Sequence, residues 1–270
     1  MPFARDFSSI NSQWSRSFGA GLMALGLLDL ANFVSSSAEA EESCLTACPT
    51  GAPASNIEIY REAYTLSNNG ERKFADWLAY RVDEQNFQKG RPRNWKADPD
   101  LPPDQTLEPA DYKGAYKALK TDRGHQAPLF SLAGLESWKT TNYLSNIRPQ
   151  SSKLNQSPWL KLETAVREVA RKFGAVHVVT GPLYEKEMAP LPGADEDHTV
   201  PSGYFKLVAR TKGEEVQAVA FIALQDAERK DPFCDGIVPI SQAEQRSGLT
   251  LLPAHPNLEN APELQADLGC

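Results

Sequence analysis

Long apolar runs are missing from this chain. A bilayer-spanning helix needs roughly 20 consecutive apolar residues, and the best candidate, Phe18 to Leu28, is ended by Asp29. An integral membrane protein built on helices is therefore not expected. No segment repeats and no linker of altered composition divides the chain, so neither a solenoid nor a string of domains is indicated. Positive charge is short as well: 28 Lys and Arg face 35 Asp and Glu, a formal net charge of −7. Taken as an average, that balance argues against a phosphate-rich partner, because such partners are bound by neutralising phosphates with Lys and Arg. Cysteine is sparse too. Cys44-x3-Cys48 has neither a neighbouring histidine nor a second closely spaced cysteine pair, which argues against a zinc site.

What is present begins with a targeting pattern. Arg5 and Arg16 precede the apolar run, and Ala38-Glu39-Ala40 has the small-x-small form of a cleavage site, so residues 1–40 are expected to be a removed secretory signal and 41–270 a single mature domain. No cysteine stands at the cleavage point and no Arg-Arg pair precedes the run, so neither a lipoprotein nor a twin-arginine signal is suggested. A secreted or periplasmic protein follows, with no membrane contact after cleavage. All four cysteines lie beyond residue 40, and an even count in an oxidising compartment suggests two disulfides. Three pairings are open; Cys44–Cys48 with Cys234–Cys270 is the simplest. The average charge also hides a gradient. Residues 91–172 hold 14 Lys and Arg against 9 Asp and Glu, leaving +5 there and −12 elsewhere. The alternative to a functional patch is a solvated basic face.

The pattern of the remainder is mixed. Ile57 to Leu66 and Ala75 to Val82, separated by Ser67-Asn68-Asn69-Gly70, read as a β-hairpin. Residues 91–107 are rich in Pro and Asp and read as an irregular loop, unusual only in Arg93-Asn94-Trp95-Lys96. Ala110 to Leu119 suggests a short helix, and Ala175 to Gly181 a buried strand ended at Gly181-Pro182. Tyr204 to Arg210 and Val216 to Leu224 suggest a strand pair, Ser241 to Ser247 a helix stopped by Gly248, and the tail after Leu252 irregular chain. One α+β domain with antiparallel strands packed against helices is the economical reading.

The chemistry concentrates between Lys120 and Lys172. Asp122-Arg123-Gly124-His125 ends a strand-like run with an imidazole, the side chain best suited to deprotonating water near neutral pH. His177 lies in a Val-rich run and reads as core, His198 follows an acidic loop and His255 sits in the tail, so none of these has a catalytic partner in sequence. A helix opening at Asn155, with Pro158 in its first turn, would set Asn155, Trp159, Glu163 and Arg167 at four-residue spacing on one face. Asn155 and Glu163 could then face one ion, and oxygen ligands suit a hard cation such as Mg2+. The structural alternative is an N-cap asparagine followed by a solvated Glu163–Arg167 pair.

Taken together, Asp122-Arg123-Gly124-His125-Gln126-Ala127-Pro128, Asn142-Tyr143-Leu144-Ser145-Asn146-Ile147, Leu154-Asn155-Gln156 with Trp159 and Leu162-Glu163, Arg93-Asn94-Trp95-Lys96 and Thr180-Gly181-Pro182-Leu183-Tyr184 closely resemble the DNA/RNA non-specific endonucleases over nearly the whole mature chain. The resemblance implies a ββα-metal (His-Me finger) core: a mixed or antiparallel sheet flanked by helices. It implies His125 as general base, Asn155 as the direct protein ligand of Mg2+, with Mn2+ as an alternative ion, and Glu163 and Asp122 acting through water. It further implies that Arg93 and Arg167 neutralise the phosphate, Arg123 contacts nucleic acid, Asn146 and Asp122 orient the site, and the protein is a homodimer. The expected activity is hydrolysis of single- and double-stranded DNA and RNA to 5′-phosphorylated products, falling as the pH drops through roughly 6 to 7. Two rival readings are a homologue that binds nucleic acid without cleaving it and an antibacterial nuclease toxin.

Overall fold

A computed structural model describes residues 42–270; the expected signal segment, 1–40, lies outside the described residues. Seven strands form one antiparallel sheet in the order β1-β2-β3-β6-β7-β8-β9, and two more, β4 and β5, form a separate ribbon. The large sheet comprises β1 (Ile57–Arg61), β2 (Tyr64–Asn69), β3 (Phe74–Val82), β6 (Val176–Leu183), β7 (Gly203–Lys212), β8 (Glu215–Leu224) and β9 (Ile237–Val238). The ribbon pairs β4 (Thr121–His125) with β5 (Ile147–Ser151). Among the described residues six α-helices accompany them: α1 (Ala115–Leu119), α2 (Leu129–Leu132), α3 (Ser152–Asn155), α4 (Pro158–Phe173), α5 (Ile240–Ser247) and α6 (Pro262–Asp267).

The central strands are buried on both faces, and side-chain alternation assigns each face its own layer. Along β7, Phe205, Leu207 and Ala209 join Ile240 and Ala243 of α5, whereas Val208 joins Leu162 and Val166 of α4. Each large aliphatic side chain so buried contributes about 1.5–3 kcal/mol. α4 owes its place to an apolar stripe at three- and four-residue spacing, Trp159, Leu162, Val166, Val169 and Ala170. Pro158 starts this helix and Gly174, at φ 94°, follows its end, while Arg171 and Lys172 complement the negative end of the helix dipole.

Several expected boundaries move. Ser67, Asn68 and Asn69 belong to β2, with a register shift between Ser67 and Asn68. Asn68 Nδ2 donates to the Gln105 carbonyl and Asn69 Oδ1 accepts from the backbone of Glu71 and Arg72, so the asparagines brace the turn instead of forming it. β6 continues through Gly181-Pro182 to Leu183 because a Cβ at Gly181 would come within 2.3 Å of the Asp76 carbonyl oxygen, and glycine lets the strand pass. The tail contains α6, whose Leu264 is buried in the core. Most consequential, no single helix runs from Asn155: α3 ends there and α4 begins at Pro158. Proline lacks an amide hydrogen and disfavours a helical residue before it, so the chain turns between the two helices.

Candidate active site

The ribbon aims the chemistry. β4 and β5 are antiparallel, with Gly124 opposite Arg148 and His125 opposite Ile147. A Cβ at Gly124 would meet the Gln150 side chain at 2.3 Å, so glycine permits the close pairing that leaves Arg123 and His125, two residues apart, on one side. They look into an open cleft of about 680 Å³ that is also lined by Asp122, Arg93, Asn155, Glu163 and Arg167. Seven of the eight expected site residues thus share one cavity, drawn from the 91–107 loop, β4, α3 and α4.

Asp122 ties the pieces together. Its Oδ1 accepts from Ser152 Oγ at 2.7 Å, and its Oδ2 accepts from Asn155 Nδ2 at 2.9 Å and Gln156 Nε2 at 2.8 Å. An ionised carboxylate can only accept hydrogen bonds, so Asn155 must present its amide nitrogen there, leaving its carbonyl oxygen available to a cation. The carbonyl of Asn155 and the carboxylates of Asp122 and Glu163 make an all-oxygen donor set on one cleft, which fits a hard divalent ion. These hydrogen bonds also compensate for the helix break, since they hold α3 against β4.

His125 is half-buried, with its ring centroid 5.2 Å from that of Trp95. The loop bearing Trp95 is fixed by backbone bonds in which Lys96 N donates to Asn142 O and Leu144 N donates to Lys96 O. Burial pushes the imidazole pKa down to about 4, the positive charge of Arg93 acts in the same direction, and the adjacent Asn142 side chain opposes them. The imidazole therefore stays neutral well below the pH of 6 to 7 expected for an ordinary histidine.

Glu163 and Arg167 follow one turn apart on α4. Arg167 lies 4.8 Å over the Phe130 ring and donates to Thr164 Oγ1. Behind Glu163, away from solvent, Lys206 Nζ stands 3.9 Å from its Oε1. Burial raises the Glu163 pKa while Lys206 and Arg167 oppose the rise; burial lowers that of Lys206 to about 8 against the pull of Glu163. Arg123 stacks 5.1 Å over Tyr112 and donates to the Pro109 carbonyl.

Asn146 is the expected site residue that stays outside the cleft. It is fully buried: Nδ2 donates to the carbonyls of Ala127 and Thr141, and Oδ1 accepts from Ala127 N. It braces the turn after His125 and does not line the cavity. Sequence reasoning overlooked Gln156 and Ser152, the other donors to Asp122, although Gln156 stands within the quoted motif, and it overlooked Lys206. Its one sequence signal is a lysine between Phe205 and Leu207 in an apolar strand.

Both cysteine pairs form disulfides, Cys44–Cys48 and Cys234–Cys270, a bonding state typical of oxidising compartments outside the cytoplasm. A separate acidic group, Asp111, Asp195 and Glu196, has ligand atoms within 4.8 Å of one another, but none of the three lines the cleft.

Known proteins are similar to this chain in sequence and in fold. Residues 45–258 match the DNA/RNA non-specific endonuclease family. The chain is 43% identical to "Nuclease" of Serratia marcescens over 94% of its own length and 98% of the relative's. It is 31% identical to "Nuclease C1" of Cunninghamella echinulata var. echinulata, covering 71% and 81% of the two chains. Human "Endonuclease G, mitochondrial" shares 27% identity over 72% of this chain and 68% of that one. The solved structure of an EndoG/EndoGI complex superposes with a TM-score of 0.64 at 22% identity, over 74% of this chain and 87% of that one, and supports the ββα-metal fold. The extent of the family match and the identity to the Serratia nuclease make the assignment: this chain belongs to the DNA/RNA non-specific endonucleases.

Proposed function

We propose that this endonuclease hydrolyses phosphodiester bonds in single- and double-stranded DNA and RNA at the His125 cleft, leaving 5′-phosphorylated products. The observation that carries the reading is the meeting of His125, the Asp122-oriented Asn155, Glu163 and the arginines in one cavity. His125 Nε2 is buried, and both it and Asn142 Oδ1 lack another hydrogen-bond partner. Pairing Nε2–H with that acceptor satisfies both groups and leaves the Nδ1 lone pair to receive a proton from the attacking water. Water attacks phosphorus in line as the 3′ oxygen departs. Arg93 and Arg167 neutralise the phosphate, whose charge builds in the transition state. Arg123 holds the adjoining strand, with Trp95 beside it. Asn155 would hold Mg2+ or Mn2+ directly, with Asp122 and Glu163 acting through water; a bound ion would supply Lewis-acid stabilisation of the departing oxygen.

Contacts to phosphates carry little sequence information, in accord with a substrate range that spans both sugars. The retained His125, Asn155 and Glu163 favour this reading over a binding-only homologue. The signal segment 1–40, release of 41–270 outside the cytoplasm and a homodimeric state belong to the same proposal. The deciding experiment digests plasmid DNA and RNA with the mature protein in Mg2+ and in EDTA, beside His125→Ala. Cleavage that survives EDTA, or that His125→Ala retains within tenfold, would refute the assigned chemistry.

A further inference from the structure

Lys206 stands where the fold calls for an apolar side chain. It occupies the middle of β7, paired with Thr180 of β6 and Phe221 of β8, and its neighbours on the same face of the strand are Tyr204 and Val208. Its side chain has 0% exposure, and its Nζ has no hydrogen-bond partner among the described residues. An ammonium in that position is costly unless an opposite charge compensates it. Two groups stand close to it: the Trp159 ring, with its centroid 4.2 Å from Nζ, and Glu163 Oε1 at 3.9 Å. Arg167 and Tyr80 also face Glu163 electrostatically. Glu163 in turn lines the cleft together with Asn155 and Asp122. A rigid central strand thus holds a cation behind a carboxylate that looks into the active site.

We propose that Lys206 is a positioning residue of this endonuclease: an internal counter-charge, hidden from substrate, that draws on Oε1 of Glu163 and fixes the carboxylate in its orientation toward the metal site. The inference rests on the proposed role of Glu163. The sheet supplies what a surface partner could not. Strand β7 is hydrogen-bonded on both sides, so the ammonium hangs from a strand fixed within the sheet, while the α4 side chain it holds is 11% exposed and borders the cleft. Groups that orient the oxygens of a metal site commonly change metal affinity by roughly 10- to 100-fold when removed. A purely structural ion pair would change stability alone.

The test uses the mature protein as Lys206→Met, Glu163→Gln and the double variant. Three measurements are made on each: Mn2+ affinity by calorimetry without nucleic acid, kcat and KM for DNA cleavage in Mg2+, and urea unfolding of the metal-free protein. Lys206→Met should weaken Mn2+ binding by roughly tenfold or more and lower kcat similarly. KM should stay within about twofold, since a buried residue contributes no substrate contact. On the Glu163→Gln background the lysine substitution should weaken Mn2+ binding no further, and the double variant should resist urea better than Lys206→Met, because no carboxylate remains without its counter-charge. If Lys206→Met is unstable but keeps Mn2+ affinity and kcat within about twofold, the positioning role is overturned. If Lys206→Met does not fold, the double variant is compared with Glu163→Gln. Equal Mn2+ affinity supports the proposal, and a further loss of roughly tenfold overturns it. Unchanged affinity and turnover in Glu163→Gln would remove the site reading and this inference with it.

Discussion

The two sheets of this protein are held together by different forces. In the seven-stranded sheet, β3, β6, β7 and β8 bury apolar side chains on both faces, and its stability comes from area removed from water. In the β4–β5 ribbon, β4 reads Thr-Asp-Arg-Gly-His, and four of its five residues are only partly buried. Its partner β5 is buried, with Ile147 in an apolar cluster, and what orients β4 on it is a small set of polar contacts centred on Asp122, with Asn146 bracing the turn that follows His125. Such contacts are directional and add little net free energy each, whereas apolar burial is strong and non-directional. The proposed chemistry therefore gathers around β4, the partly buried strand that polar contacts orient, and the apolar sheet serves as its foundation. Lys206 is the exception, a charge built into the apolar sheet on behalf of the cleft.

Substitutions should separate these roles. The largest effect is expected at His125, where replacement by alanine should lower kcat by roughly 10²–10⁴-fold. Nicking of supercoiled plasmid measures that loss, and a melting temperature near that of the parent protein would show that chemistry alone was removed. Leu78, fully buried in β3, should behave in the opposite way. Leu78→Ala should cost about 2–5 kcal/mol in urea unfolding while the remaining folded protein keeps its turnover. A large fall in kcat without loss of stability would break the division between sheet and ribbon.

Opening the Cys234–Cys270 disulfide, which spans 36 residues, should cost about 2–4 kcal/mol, read as a lower melting temperature for Cys234→Ser/Cys270→Ser with kcat preserved. Asp122→Ala should act in the ribbon's manner, weakening Mn2+ affinity by roughly 10- to 100-fold. Mn2+ binding as tight as in the parent would mean that Asn155 needs no such orientation.

The smallest effect is a displacement in pH. Because burial and Arg93 lower the His125 pKa toward about 4, the base stays neutral as acid is added, and the acid limb of kcat/KM should lie below pH 6. Stability should move with opposite sign to that of a partnered, protonated histidine. The unfolded histidine binds its proton near 6.5 and the folded one only near 4, so protonation favours unfolding as the pH falls through that window. A profile with its acid limb at 6 to 7 would show that the imidazole is more open to water than its packing against Trp95 implies.

Much of this was legible in the chain itself. The motif residues from Asp122 to Glu163 carried the family and the fold, and the alternation in Tyr204–Arg210 and Val216–Leu224 located two central strands. Residues 1–40 carried the signal pattern, which lies outside the described residues. Less legible were features set by distant partners. Asn155 was expected to share a helix with Glu163, but Pro158 breaks that helix and hydrogen bonds to Asp122 bring the asparagine to the cleft. Asn146 was expected to orient the site, and only its hydrogen bonds to Ala127 and Thr141 show how it is placed, buried behind the cleft.

By itself the sequence determined which side chains could do the chemistry, since an imidazole, a carboxamide, carboxylates and guanidiniums are properties of residues and their order is carried by the motif. Tertiary structure alone decided the electrostatic setting of each. The depressed His125 pKa, the turn of the Asn155 carbonyl away from Asp122, and the lysine behind Glu163 depend on groups 30 or more residues apart, with 33 between Asp122 and Asn155. Charges and hydrogen bonds act through distance in space and exclusion of water, and neither is written in the distance along a chain.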